Sequence, residues 1–547
     1  MINTTTGVRP IESGGLRVLR RPRIMDPGPA AIAGTALIIL LTVSPLATLA
    51  TSVLAAGANA LSIVTQGPVL LLIARTGLLA ALATLWAIIL GLPPAWILTR
   101  TDLPGRRVLL AVAVLPLAIP PYIGALTYIT LLGPVGWVNT TAQALGAGGP
   151  IANIYGLWGG IFVLGLFTYP YILLMAGSAL QGSDPALEEA ARAVGLGSIA
   201  TFRRVTLPLL RPSLLAGALL VFLYALSDFG AVSLLRVDTF TTEIFHQLNT
   251  RFDQRNAAVL SGVLVLITAG VLIAQRATLG RRSYVQRRSG GRPPTVYPLG
   301  RWKLPALCCT YIVLGGSVFL PVALLLYQTG SLMTLLQTLV SGYHFLWNSL
   351  WTATVAATAA SGLGLFVAYL AQRRQGPVGL LLTSATQLGY AVPGTVLGLS
   401  LILLYNAYLP WVYGTAAMVI IGYLLRFLPQ AVQGSTAALV QVDAHLEEAA
   451  RSLGRSAWQA LREVTLPLIR PGIAAGWMLV FISSMKELAA TLLLRPAGFD
   501  TLPVRIWIAS IEVDYAGAAA TSLILIAITA VPLFLMTRRD ATLSRIE

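Results

Sequence analysis

This sequence predicts an all-α protein that crosses a membrane twelve times, built as two parallel repeats of six helices. Three observations predict it. Of 547 residues, 56% are hydrophobic and 10% are charged, against about 25% charged in ordinary soluble domains. Polar residues are too few to cover soluble domains of this total size. Apolar runs of about 20 residues, the length that spans a bilayer, recur from end to end, and mean hydropathy is +0.78. The second half of the chain also repeats the first. Fibrous, disordered and disulfide-rich classes are excluded. The only cysteines, Cys308 and Cys309, are neighbours in an apolar run and read as small packing residues.

In chain order the spans fall at 29–50, 68–98, 108–132, 156–180, 213–235 and 257–275, then 304–327, 345–371, 378–406, 411–435, 472–494 and 517–537. The first resembles a secretory signal, because Ala58-Asn59-Ala60 looks like a cleavage site, but its apolar run is too long. It also has an equivalent at 304–327, where nothing could be cleaved, so it is kept as a span. The organisation follows: a basic tail at 1–28, a first six-span domain at 29–275, a linker at 276–303, a second six-span domain at 304–537 and a tail at 538–547. The linker is polar and basic and contains Gly290-Gly291 and Pro293-Pro294.

Net charge is +17, which would suit a nucleic-acid binder, but the basic residues lie in short clusters between spans. Arg9, Arg17, Arg20, Arg21 and Arg23 precede the first span, and Arg100, Arg106 and Arg107 follow the second. Arg192, Arg203, Arg204 and Arg211 follow the fourth, and eight more fall between Arg276 and Lys303. Arg373 and Arg374, then Arg451, Arg455, Arg462 and Arg470, then Arg538, Arg539 and Arg545 complete the series. All these clusters lie on one side of the twelve-span arrangement. By the positive-inside rule that side is cytoplasmic, both termini are cytoplasmic, and no nucleic-acid partner is implied.

The repeat is the most informative feature. A shift of 259 residues lays Asp184–Tyr224 over Asp443–Ser483 without a gap, with 21 of 41 residues identical. Both copies have the same orientation, so they are parallel repeats about an axis normal to the membrane. The densest match is in a loop, where connections ordinarily drift. Leu187-Glu188-Glu189-Ala190-Ala191-Arg192-Ala193-Val194-Gly195 leads, nine residues on, to Val205-Thr206-Leu207-Pro208. Its partner is Leu446-Glu447-Glu448-Ala449-Ala450-Arg451-Ser452-Leu453-Gly454, then Val464-Thr465-Leu466-Pro467. Each reads as a short helix capped by Asp184 or Asp443, with acids near its N-terminus and a glycine stop. A second helix follows, after which Leu-Pro should redirect the chain into the next span. Two rigid knobs result, suited to a two-fold partner.

This pattern of Glu-Ala-Ala, three residues, Gly, nine residues, an aliphatic residue, any residue, then Leu-Pro resembles the signature loop of ABC-importer permeases, with Val205 and Val464 where Ile is usual. The resemblance implies a type I importer permease fold and two coupling helices that enter grooves of two cytoplasmic ABC ATPase subunits. The residues it assigns to coupling are Glu188, Glu189, Ala190, Ala191, Arg192, Gly195, Leu207 and Pro208 in the first copy. In the second they are Glu447, Glu448, Ala449, Ala450, Arg451, Gly454, Leu466 and Pro467. It further implies a periplasmic substrate-binding protein and a bacterial inner membrane. No Gly-x-x-x-x-Gly-Lys-Ser/Thr loop occurs, and the only lysines are Lys303 and Lys486, so ATP and Mg²⁺ are expected on the partner subunits. No cofactor, tightly bound metal or catalytic residue is expected in this chain. His246, His344 and His445 are scattered, which argues against a membrane enzyme.

Charged residues inside spans are costly and default to functional hypotheses. The register aligns Asp228 with Glu487, with Lys486 beside it, and aligns Arg426 of a neighbouring span with Phe167, so Arg426 has no basic counterpart. These four are candidates for the translocation pathway, the two carboxylates suiting a cation. The alternative reading is an internal ion pair of Glu487 with Arg426 or Lys486. Arg75, near the outer end of its span, can snorkel. The flanks Asp228-Phe229-Gly230-Ala231-Val232-Ser233-Leu234-Leu235 and Met485-Lys486-Glu487-Leu488-Ala489-Ala490-Thr491 look like ferric-iron importer permeases, with Ala489 where Pro is common. Fused permeases for thiamine or phosphonate look similar and remain the alternative. A secondary transporter is more distant, since it has no use for paired cytoplasmic loops.

Overall fold

The computed structural model describes residues 29–279, 296–373 and 377–543. The basic tail, most of the linker with its Gly-Gly and Pro-Pro pairs, Arg374 and Arg545 lie outside them. The described chain is helical throughout, with one isolated bridge pairing Thr101 and Tyr297. Ten helices are long and apolar enough to cross a membrane, and two bent pairs bring the number to twelve.

The bent pairs correct the expectation of straight third spans. Arg106–Leu117 meets Pro121–Ala144 at 93°, and Leu381–Gly389 meets Gly394–Tyr408 at 105°. The hinge sequences are Ala118-Ile119-Pro120-Pro121 and Ala391-Val392-Pro393-Gly394. Proline lacks a donor and pushes its predecessor out of helical geometry. Pro120, followed by Pro121, accordingly stands extended at the start of the second limb with ψ of 143°, and Pro393, at the start of its own second limb, has ψ of 150°.

The fifth spans are also interrupted. Helix Leu207–Ser227 ends at Asp228, and the chain restarts at Gly230–Leu234. Its counterpart Leu466–Met485 ends at Lys486 and restarts at Ala489–Leu494. At their other ends the Leu-Pro passages do not turn the chain as expected. The path stays helical through the π-turns Phe202–Thr206 and Leu461–Thr465. A third π-turn, Gly315–Phe319, precedes Pro321 in the same way. Each wide turn accommodates the proline that follows it, whose missing N–H and bulky ring would otherwise break an α-helix.

Lipid tails offer helices no hydrophobic incentive to associate, so close packing of small residues supplies it. Gly91 on Gly67–Arg100 lies so near Leu157–Gly182 that a Cβ there would stand 2.8 Å from Tyr169 O. In the second half, Gly364 abuts Ala431 in the same manner, with 2.8 Å to its Cβ. The halves also interleave. Ile38 of the first helix is buried among Val367, Leu370, Leu382, Leu428 and Val432 of the second half. Reciprocally, Ala306, Val313 and Leu314 pack with Ile97, Leu98 and Tyr169 of the first. Each half thus lends its leading helix to the other.

Candidate functional site

The loop helices form as the sequence implies. Asp184 Oδ1 accepts from Ala186 N–H at 2.9 Å and Asp443 Oδ1 from His445 N–H at 3.0 Å, capping Pro185–Ala193 and Ala444–Ser452. Gly195 and Gly454 adopt φ of +85° and +87°, where a side chain is strained. The following N–H groups reach back to Ala191 O and Ala450 O, closing both helices in the same way.

The two adjacent glutamates of each motif part company. Glu188 and Glu447 are buried, whereas Glu189 and Glu448 are exposed. Glu188 Oε1 lies 2.7 Å from Arg100 Nη2, with both side chains essentially sealed from solvent, and accepts from Thr206 Oγ1 at 3.0 Å. Its other oxygen accepts a short bond from the Tyr297 hydroxyl. Glu447 accepts a short bond from Thr465 Oγ1 and a longer one, 3.4 Å, from Tyr369 OH. Each inner glutamate is thereby tied to the threonine of the Val-Thr-Leu-Pro segment. Ala191 is buried and Ala450 half-buried beneath the helices. Ala190, Ala449, Arg192 and Arg451 face outward, and Leu207 and Leu466 are half-buried where the next helices begin. Pro208 is half-buried and Pro467 exposed.

The outward face carries a feature that the motif does not name. Leu187 and Leu446 are 49% and 47% exposed, and Val194 and Leu453 are 78% and 85% exposed. These apolar residues occupy matching positions in the two copies. Sequence reasoning also missed the pins Arg100, Thr206, Tyr297, Tyr369 and Thr465. The threonines were findable, being identical between halves, but Arg100 and Tyr297 reach the loop only through the fold. Tyr297 stacks on Trp96 with centroids 5.9 Å apart and lies 4.4 Å beneath the Arg192 guanidinium. Burial, then its bond to Glu188, pushes the Tyr297 hydroxyl up to about 12.

At the breaks of the fifth spans, Asp228 and Glu487 do the same job. Asp228 Oδ1 accepts from Ala231 and Val232 N–H at 3.0 and 3.2 Å, and Glu487 Oε1 accepts from Ala490 N–H at 3.0 Å. Each carboxylate caps the short helix after the break, and each backbone carbonyl accepts from a threonine, Thr241 or Thr491, at 2.6 Å. The two breaks meet: a Cβ on Gly230 would stand 2.9 Å from Tyr122 Cβ and 3.0 Å from Leu488 Cδ2. Both carboxylates are nine-tenths buried. Glu487 Oε2 pairs with Arg426 Nε at 3.1 Å, so the internal ion pair is present. Asp228 has no such partner among the described residues. Lys486 instead donates to Leu117 O at the end of the first bent limb, and Arg426 Nη1 lies 3.5 Å from Val392 O at the second. The cations thus sit where broken helices leave carbonyls unpaired. Tyr122, buried against Gly230, has a hydroxyl without a hydrogen-bond partner among the described residues. Arg75 lies elsewhere, in an exposed pair with Asp238 at 3.0 Å. Among the described residues, no group of three or more His, Cys, Asp or Glu converges on a metal position.

Paired, pinned loops at matching ends of a duplicated helical bundle define a transport permease of the ABC-importer class. The family model "Binding-protein-dependent transport system inner membrane component" matches twice, over residues 83–278 and 360–545, and the chain belongs to that family. It is 30% identical to the Fe(3+)-transport system permease protein FbpB 2 of Haemophilus influenzae, over 85% of this chain and 89% of that one. It is 27% identical to the ferric transport system permease protein FbpB of Actinobacillus pleuropneumoniae, over 77% of this chain and 64% of that one. A "Probable molybdenum ABC transporter permease protein" of Haloferax volcanii is 34% identical over 36% of this chain and 71% of its own length. The chain is a multi-pass membrane protein.

Proposed function

We propose that this permease is the membrane pathway of a ferric-iron importer, driven by two ATPase subunits that dock on its two loop helices from the cytoplasm. The docking reading rests on one observation: matched apolar residues, Leu187 with Leu446 and Val194 with Leu453, stand exposed on helices whose opposite faces are pinned. Exposed apolar groups on rigid, repeated knobs favour burial against a partner, and duplication favours a pair of like partners. Glu189, Arg192, Glu448 and Arg451, exposed beside them, give the contact its polar rim. ATP and Mg²⁺ bind to those subunits, and a periplasmic binding protein delivers the cargo at the far end. Both termini lie with the loop helices on the cytoplasmic side.

Ferric iron as cargo is supported by likeness to ferric permeases along most of the chain, whereas the molybdenum relative matches little more than a third. Asp228, Glu487, Arg426 and Lys486 form the constriction of the pathway, where the breaks of the two halves touch. Helix ends that meet at a seam can part without unravelling a span, which suits alternating access. Changing Glu189 and Glu448 together to Lys should abolish copurification with the ATPase and uptake of radiolabelled ferric iron, while the membrane bundle stays assembled. Undiminished binding and uptake would sink the docking reading. Uptake of thiamine or phosphonate instead of iron, by the unaltered importer, would sink the cargo.

A further inference from the structure

Residues 296–303 lead from the linker into the second half, yet their contacts are with the first. Tyr297 N–H donates to Arg100 O at 2.8 Å and Asp102 N–H returns a bond to Tyr297 O at 3.2 Å. Pro298 holds Tyr297 extended, as a bridge residue must be. It has no N–H to continue the ladder, and the next amide, Leu299, donates to Asp102 Oδ1 at 2.8 Å. Lys303 closes the set with an ion pair to Asp102 at 3.0 Å. The Tyr297 ring is held between Trp96 and Arg192, and its hydroxyl reaches Glu188 in the first loop helix. Beyond Lys303 the same segment continues as the leading helix of the second half. That helix lies against the first half down to Gly316, whose carbonyl accepts from Tyr128 OH at 2.9 Å. The described pins of the other loop helix, Thr465 and Tyr369, come from its own half.

We propose that Tyr297 is a positioning residue for energy coupling: a clasp that ties the first loop helix to the leading helix of the second half, so that a push on one knob moves both halves. Glu188 is held by one guanidinium and two hydroxyls, those of Arg100, Thr206 and Tyr297, from three separate segments. Displacing Pro185–Ala193 pulls directly on the helix that begins at Lys303. This inference rests on the reading that the loop helices receive the ATPase subunits.

The test uses the full chain in lipid nanodiscs, with Cys308 and Cys309 replaced by Ser. One cysteine is placed at Ala193 or at its counterpart Ser452, both exposed in the last turn of a loop helix. Spin labels there report the mobility of each knob without any ATPase present. A hydrogen bond to a charged group contributes about 1.5–3 kcal/mol, so Tyr297→Ala should raise the released population of the first knob about tenfold or more and leave the label at position 452 unchanged. Tyr297→Phe keeps the ring contacts and should give an intermediate mobility at 193. An unchanged label at 193, or equal loosening at both positions, overturns the clasp. Adding the ATPase subunits and measuring thiol protection at 193 and 452 tests docking separately. Protection absent from the unaltered chain defeats the docking reading but not the clasp. If protection is present, Tyr297→Ala should weaken it at 193 alone and lower the iron transported per ATP hydrolysed, and a ratio equal to that of the unaltered chain counts against the proposal.

Discussion

Arg100 Nη2 lies 2.7 Å from Glu188 Oε1, and neither side chain is open to solvent. One residue ends a transmembrane helix and the other begins a loop helix, so a single ion pair sets the first knob on the bundle. Among the described residues Arg100 Nε and Nη1 have no hydrogen-bond partner, and the guanidinium is held by Glu188 and Ser183.

Removing one member of such a pair strands a buried charge, at a cost of roughly 3–5 kcal/mol. Glu188→Ala should therefore lower thermal stability in detergent far more than Glu189→Ala, although the residues are adjacent and alike. Differential scanning fluorimetry of the two variants decides it. Equal stabilities would mean that the buried pair does not hold the loop.

Gly195 and Gly454 have positive φ with open space around the missing side chain, so only the backbone resists substitution. A left-handed residue with a Cβ costs about 1–2 kcal/mol, and Asn tolerates that region better than Val. Gly195→Val and Gly454→Val should each weaken ATPase copurification, with the Asn variants close to the unaltered protein. If Val is as well tolerated as Asn, the turn is not what orients the loop.

The carboxylates at the meeting breaks can be separated by role. Asn at position 228 retains an oxygen that can accept from Ala231 and Val232, so Asp228→Asn should assemble normally and slow iron uptake through loss of charge alone. Glu487→Gln leaves the mostly buried Arg426 without its carboxylate, so it should assemble poorly. Replacing Arg426 and Glu487 together by Gln and Gln should recover assembly, because no lone charge remains. Size-exclusion profiles and uptake assays read the two effects. Normal uptake by Asp228→Asn would remove that residue from the pathway.

Gly394 lies against the same ion pair, with its ideal Cβ 2.6 Å from Glu487 Oε1 and 2.7 Å from Arg426 Nη1. Gly394→Ala should pry the pair apart and reduce uptake, whereas Gly362→Ala, where nothing stands within 4 Å, should be silent. Comparing the initial uptake rates of both variants at matched expression checks this.

The clasp should be indifferent to pH across the neutral range. Asp102 is held below its usual range by the Leu299 N–H and then by Lys303. Its contribution is complete above the unfolded carboxylate range and fades only as pH falls through the lower, folded value. Tyr297 is raised to about 12, so its donor hydroxyl persists until pH climbs through that value. Spin-label mobility at position 193 should therefore be flat from about pH 5 to about pH 9. A transition inside that window would assign control of the knob to another group.

The sequence by itself determined the class, the duplication and the loops. Apolar length defines spans irrespective of neighbours, and a motif that occurs twice at one offset needs no coordinates to be seen. Asp184, Asp443, Gly195 and Gly454 act within a few residues of themselves, so their capping and stopping roles were legible. Tertiary structure decided everything that depends on partners distant in the chain. It sorted Glu188 from Glu189 by burial, turned Asp228 and Glu487 into caps of broken helices and selected Arg426 over Lys486 as the partner of Glu487. It also bent the third spans, at Pro120 and Pro393. The exchange of leading helices and the reach of Tyr297 to Glu188 come from segments about a hundred residues or more apart in sequence. No local pattern records such a meeting, because the energy that favours it arises only when the packed helices bring the two surfaces together.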